Sequence, residues 1–200
     1  MRAINLVFGT SNCIATGTPD ATIEGLYQRA FKPFLQTLYE FPDISLTSHY
    51  SGALLEWLHE RHPEFIMLLN EMVKRNQIEL LGGTYYQTIL PLIPANDRTA
   101  QVELLTTLLR RRFGKRPRGA WVTELVWEPG MASSLKRSGM EYTFLAENHF
   151  TEAGLSKDNL FKPVITEDQG KTLLVFPISR ELGLFPFTTD PKKLIKRING

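Results

Sequence analysis

Short apolar runs alternate along this chain with longer stretches in which apolar residues recur every third or fourth position. A short continuous run suits a strand buried on both faces, and the wider spacing suits a helix with one buried face. The alternation is that of βα units around a parallel sheet. Residues 4–8, almost wholly apolar, read as the first strand. Asp20 and Thr22 stand where a helix starts, Ile23, Leu26, Phe31, Phe34 and Leu38 keep its spacing, and Pro33 divides it. Residues 44–49 read as the second strand, and Ser51-Gly52 turns the chain into a helix carrying Leu54, Leu55 and Leu58. Another helix follows Pro63, with Phe65, Ile66, Leu69 and Val73 on its apolar stripe.

The third strand, 78–81, stops at Gly82-Gly83 and gives way to a loop holding Tyr85, Tyr86, Pro91 and Pro94. Asn96 is placed to cap a long helix through Val102, Leu105 and Leu109. The fourth strand is read at 119–123, a helix at 130–138, the fifth strand at 142–145 and the sixth at 172–176. Asp190-Pro191, a cap followed by proline, opens a short basic helix to 198. A closed eight-fold barrel takes roughly 250 residues. About six strands in 200 residues therefore predict one α/β domain, a barrel left incomplete within this chain.

Composition narrows the class. A hydrophobic share of 42% and a charged share of 22% are those of a soluble globular protein. The net charge of +2 gives no ground for a nucleic-acid or membrane partner. The basic run Arg110-Arg111-Arg112, with Lys115, Arg116 and Arg118 behind it, suits a solvated helix end. Cys13 is the only cysteine, which excludes an intrachain disulfide and favours a reducing compartment. The N-terminal apolar run ends at Gly9 and is too short for a signal peptide or a membrane span. A cytoplasmic location is the expectation.

Candidate chemistry concentrates in Trp121-Val122-Thr123-Glu124-Leu125-Val126-Trp127-Glu128-Pro129. The segment begins as a buried strand and ends in a helix-starting turn, so Glu124 falls at the carboxyl end of a strand, where parallel barrels keep their active sites. Two tryptophans bracket it, and flat apolar rings beside a carboxylate suit a sugar. A carboxylate so placed can attack an anomeric carbon. It can equally cap a neighbouring helix or pair with an arginine, and Trp121 and Trp127 can equally be core.

Across its length the chain resembles the N-terminal part of glycoside hydrolase family 57, nearest in pattern to its 4-α-glucanotransferases and α-amylase-like members. The likeness runs through Phe41-Pro42, His49-Tyr50-Ser51-Gly52, Leu54-Leu55-Glu56-Trp57, Gln77-Ile78-Glu79, the Glu124 segment, His149-Phe150, Ala153-Gly154-Leu155 and Phe176-Pro177. The resemblance implies a (β/α)7 barrel, a retaining mechanism on α-1,4-glucans, a glutamate nucleophile and an aspartate general acid. Neither cofactor nor metal is implied. Glu124 matches the nucleophile, and Glu79 a glutamate that contacts the sugar at the cleavage subsite. His49, His149, Tyr86 and Gln87 are further candidates for contact with an α-glucan or maltooligosaccharide. A buried, internally satisfied role is open for Glu79 and His49. A homo-oligomer is compatible with the pattern.

Three departures stand out. The family's His-Asn-His-Gln-Pro stretch is here Ser11-Asn12-Cys13-Ile14-Ala15, and Gln87 stands where a glutamate is common. The segment that would hold the aspartate falls after Gly200. Truncation accounts for the missing acid but not for Ser11 and Cys13, which point to altered specificity or lost activity. The alternative is a catalytically inactive glucan-binding relative. A metal-dependent, polysaccharide-deacetylase-like barrel fits less well, because His49, His59, His62 and His149 do not form a ligand cluster with aspartates.

Overall fold

The computed structural model describes residues 6–156, 160, 162–179, 190 and 192. Three parallel strands, β1 (Gly9–Asn12), β2 (Leu46–Tyr50) and β3 (Ile78–Leu81), pair in the order β1-β2-β3. A second group, β4 (Gly119–Ala120), β5 (Tyr142–Ala146), β6 (Val164–Asp168) and β7 (Lys171–Ile178), pairs in the order β4-β5-β7-β6. Within it β4, β5 and β7 are parallel, and β6 runs antiparallel to β7. The groups meet at Gly82, which donates its N–H to the Gly119 carbonyl at 2.8 Å and accepts from the Trp121 N–H at 2.9 Å. One wall results, parallel throughout except for β6.

Among the described residues seven α-helices connect the strands: α1 (Asp20–Leu26), α2 (Lys32–Glu40), α3 (Gly52–Arg61), α4 (Pro63–Lys74), α5 (Ala95–Phe113), α6 (Met131–Arg137) and α7 (Glu147–Glu152). Strand alternation sorts the two faces of the wall. Leu46, Tyr50, Ile78 and Leu80 join a core with Leu54, Leu58, Phe65, Leu69 and Leu105 of the helices. Thr47, His49 and Glu79 therefore lie on the opposite, helix-free face. The same parity in the second group turns Thr143, Leu145, Leu173 and Val175 into the core and leaves Tyr142, Phe144 and Phe176 as a helix-free aromatic cluster.

Local chemistry explains several boundaries. Ser51 accepts the Leu54 N–H and starts α3. Pro33 lacks the N–H a helix needs, and the chain absorbs this with a π turn at Tyr27–Phe31, in which the Lys32 N–H reaches the Tyr27 carbonyl. The expected division is thus a bulge between α1 and α2, not a gap. His62, at the α3–α4 corner, stacks on Tyr27 at 3.6 Å and contacts Glu24 at 2.8 Å and Glu64 at 3.1 Å, fastening α1 to that corner. Basic residues Arg110, Arg111 and Arg112 occupy the last turn of α5.

The structure corrects several expected elements. Strand β1 is not the apolar run at 4–8: Ile4 and Asn5 lie outside the described residues, and Leu6, Val7 and Phe8 are 39%, 60% and 53% exposed. The polar Gly9–Asn12 segment pairs instead, because β2 offers it polar partners: Thr10 meets Ser48 at 2.8 Å and Ser11 meets His49 at 3.1 Å. Strand β2 ends at Tyr50. β4 ends at Ala120, since a tight helical turn begins at Thr123. Helix α5 starts at Ala95 after Pro94, so Asn96 lies inside it. The β6–β7 hairpin was not anticipated. Gln169 and Gly170 turn it at positive φ of 49° and 72°, a geometry that matches hairpin twist. For the helix expected to reach 198, the Lys192 N–H donates to the Asp190 carboxylate, and the rest lies outside the described residues.

Among the described residues no helix is long and apolar enough to cross a membrane. Gly83, next to the joint, has a φ of +150°, and a Cβ there would sit 2.7 Å from the Trp121 carbonyl oxygen. Neither the backbone angle nor the opposing carbonyl can yield cheaply. Gly83→Ala is expected to lower the unfolding free energy by about 1–3 kcal/mol, read as a lower urea midpoint with an unchanged slope.

Candidate active site

Past Ala120 the chain extends through Trp121 and Val122 and then folds into a single tight turn, Thr123–Leu125. Inside it Glu124 has φ 53° and ψ 16°, and Leu125 has φ 54°. Left-handed conformations are uncommon for residues with a side chain and cost about 1–3 kcal/mol each, so surrounding contacts must hold them. Gln87, in the loop after β3, is also left-handed, with φ 60°. Both departures fall on loops leaving the carboxyl ends of adjacent strands, where parallel α/β folds place their chemistry.

The contacts that hold the Glu124 turn come from three sides. Before it, the buried hydroxyls of Thr84 and Thr123 meet at 3.0 Å, tying the loop after β3 to the loop after β4. After it, His149 Nε2 lies 3.0 Å from the Leu125 carbonyl. Below, Trp127 packs against two core clusters, one of which contains Phe150. His149 stands on α7.

Arg98 of α5 adds a clamp at the far end of the segment. Its guanidinium donates to the Ile93 carbonyl at 2.9 Å, the Pro91 carbonyl at 3.2 Å and the Glu128 carboxylate at 2.6 Å. Charge-assisted bonds of this kind are the stronger class. Sequence reading missed Thr84, Thr123 and Arg98 as supports. Arg98 sits in the polar start of a long helix, and no local signal distinguishes it from a solvated charge.

Glu124 itself is exposed, and among the described residues no hydrogen bond or ion pair occupies its carboxylate. Trp121 and Trp127 are half-buried. Tyr86 is 51% exposed, its N–H donating to Gln101 at 3.2 Å, and Gln87 is half-buried beside it.

His49 is enclosed: its Nδ1 meets Ser11 Oγ at 3.1 Å, and its Nε2 has no partner. A Cβ built on Gly83 would come 3.0 Å from that Nε2 and 2.7 Å from the Trp121 carbonyl, so His49 lies just beneath the Glu124 segment. Glu79 is placed differently. It is the second residue of β3, exposed on the helix-free face, and accepts the Tyr142 hydroxyl at 2.8 Å. Gly119 makes room for that ring, since a Cβ there would lie 2.2 Å from it. Burial first, and the Glu79 hydrogen bond second, push the Tyr142 phenol well above its usual range. The structure thus groups Glu124, Trp121, Trp127, His49 and His149, and leaves Glu79 with Tyr142.

The model of Glycosyl hydrolase family 57 matches residues 7–199. The chain belongs to glycoside hydrolase family 57. Within family 57 it is similar to the 4-alpha-glucanotransferase of Thermococcus kodakarensis, 41% identical over 97% of this chain and 30% of that relative. It is also similar to the alpha-amylase of Pyrococcus horikoshii, 42% identical over 94% of this chain and 30% of that one. The crystal structure of the 4-alpha-glucanotransferase from Thermococcus litoralis superposes with a TM-score of 0.95 at 40% identity, covering 98% of this chain and 31% of that one. The chain therefore spans about 30% of the length of these relatives. An incomplete (β/α)7-type barrel, the fold expected from the sequence, is what the family 57 chain forms. Among the described residues no group of three or more His, Cys, Asp or Glu is arranged to hold a metal ion.

Burial pushes the His49 imidazole down to about 3. In the unfolded chain a histidine takes up a proton below about 6.5. Below that value the unfolded state holds more protons, so this residue's contribution to stability is lost as pH falls from about 6.5 toward 3. At about pH 5 the loss amounts to roughly 2 kcal/mol. His49→Gln removes this slope, and urea unfolding at about pH 7 and about pH 5 should differ less for the variant by that amount.

Proposed function

We propose that the chain carries the nucleophile of a retaining enzyme acting on α-1,4-glucans, by hydrolysis or by 4-α-glucan transfer, with Glu124 as the attacking carboxylate. The observation behind this reading is the state of Glu124: exposed, free of any base among the described residues, and mounted on a left-handed turn just past a central parallel strand. Support also comes from the relatives, whose names are those of a glucanotransferase and an amylase.

In the reaction, one Glu124 oxygen attacks the anomeric carbon as the bond to the leaving oxygen breaks, which gives a covalent glycosyl-enzyme. Water or a sugar hydroxyl then displaces Glu124 with a second inversion. An acid roughly 5 Å from Glu124 must protonate the leaving oxygen, and the family resemblance assigns that step to an aspartate. Trp121 and Tyr86 supply aromatic surface for the apolar faces of the sugar, and Gln87 a polar group for its hydroxyls. Trp127 and His149 line the segment from α7's side. His49 supports the floor of the site, while Glu79 accepts the Tyr142 hydroxyl elsewhere on the helix-free face.

A second reading, glucan binding without turnover, draws on Ser11 and Cys13, which replace imidazoles that the resemblance expects near the reacting ring. In this chain the Ser11 hydroxyl is spent on His49.

The decisive reagent is 5-fluoro-α-maltosyl fluoride. Fluoride departs without protonation, so labelling reports the nucleophile independently of the acid. The expected outcome is a 5-fluoromaltosyl adduct on the peptide containing Glu124, located by mass spectrometry and absent from Glu124→Gln. Maltooligosaccharide binding with no adduct would leave the second reading in place.

A further inference from the structure

We propose that His149 is a positioning residue for Glu124: its Nε2–H holds the Leu125 carbonyl and so fixes the left-handed turn on which the Glu124 carboxylate is mounted. The proposal rests on the reading of Glu124 as the nucleophile. The turn closes on itself through two local backbone bonds, Leu125 N–H to the Val122 carbonyl at 3.0 Å and Val126 N–H to the Thr123 carbonyl at 3.2 Å. These bonds define a tight turn. They do not select two successive left-handed residues with side chains, a conformation that persists only where the surroundings impose it.

The surroundings impose it from both ends. Thr123, the residue before Glu124, is held by the buried Thr84 hydroxyl at 3.0 Å. Leu125, the residue after it, is held by His149 at 3.0 Å. A carbonyl oxygen can only accept, so His149 Nε2 must carry the hydrogen, and the neutral ring is locked in the Nε2–H tautomer.

The helix that carries the imidazole is itself anchored. Its Phe150 is buried with Leu145 and Val175 in the cluster against which Trp127 also packs. The nucleophile segment is therefore held at Leu125 by the His149 hydrogen bond and at Trp127 by packing on the cluster that contains Phe150. A ring nitrogen committed to the backbone in this way serves geometry, and geometry matters here because a misplacement of about 1 Å costs roughly 100-fold in rate.

The test is the kinetics of capture by 5-fluoro-α-maltosyl fluoride, with the limiting rate and the half-saturating concentration measured separately. His149→Leu should lower the limiting rate roughly 10- to 100-fold while half-saturation and melting temperature stay near wild type. His149→Gln, whose amide N–H can replace the donor, should recover most of that rate. Thr123→Val should fall and Thr123→Ser should not. Long-range 1H–15N spectra of the wild-type protein should show His149 as the Nε2–H tautomer.

Capture by His149→Leu at the wild-type rate overturns the proposal. So does a change in half-saturation alone, which would mean that the ring touches the sugar, and so does a glutamine variant no better than leucine. If His149→Leu does not fold, the tautomer and the glutamine variant decide, and an Nδ1–H ring is a refutation. If wild type is never labelled at Glu124, the nucleophile reading fails on its own, while the tautomer still reports whether His149 holds the turn.

Discussion

Gly82 donates to Gly119 and accepts from Trp121, and through these two backbone bonds the β1–β3 group and the β4–β7 group become a single wall. The joint sits where β3 has just ended and β4 has just begun. It therefore sets the carboxyl ends of the two strands side by side. The loops that leave them are brought close enough for Thr84 to reach Thr123 and for the Trp121 carbonyl to lie over Gly83. Without that alignment the Glu124 turn would have no neighbour on its β3 side. The absence of a Cβ at Gly83 is what lets the two backbones pass so tightly.

Around that joint the molecule spends its interactions on backbone atoms more than on the carboxylate. Arg98 donates to two loop carbonyls and to Glu128, His149 addresses the Leu125 carbonyl, and the threonine pair pins the residue before Glu124. Glu124 is left unpaired among the described residues. Under the proposed reading this arrangement suits an attacking carboxylate, because no donor or cation is seated on the anion in its resting state. Strain in the turn is held by contacts that leave the Glu124 carboxylate free among the described residues.

Much of this was legible in the sequence, for definite reasons. The strands at Ile78–Leu81 and Tyr142–Ala146 are short apolar runs flanked by glycine or by helix signals, and period alone finds them. The position of Glu124 followed from a strand pattern running into a Glu-Pro turn. The first strand was misread because an apolar run signals burial only if a partner face exists, and β2 presents Thr47, Ser48 and His49 instead of an oily one. The β6–β7 hairpin was missed because its signal, Gln169-Gly170, is a weaker form of the usual Asn-Gly turn. Arg98 and the threonine pair were invisible for another reason: they act across separations of 30 and 39 residues, and no local pattern encodes such a meeting.

The polar first strand has one more implication, for the way the wall comes apart. β1 is attached to β2 by ladder bonds and by the Thr10–Ser48 and Ser11–His49 contacts, and little apolar surface anchors it. Segments held this way open at a lower free energy than the global transition, so β1 should be the first strand to peel. Peeling would bring water to the imidazole beneath. A proton that could not reach His49 in the closed wall would then bind it, so acid would tilt the opening of this edge toward the open side.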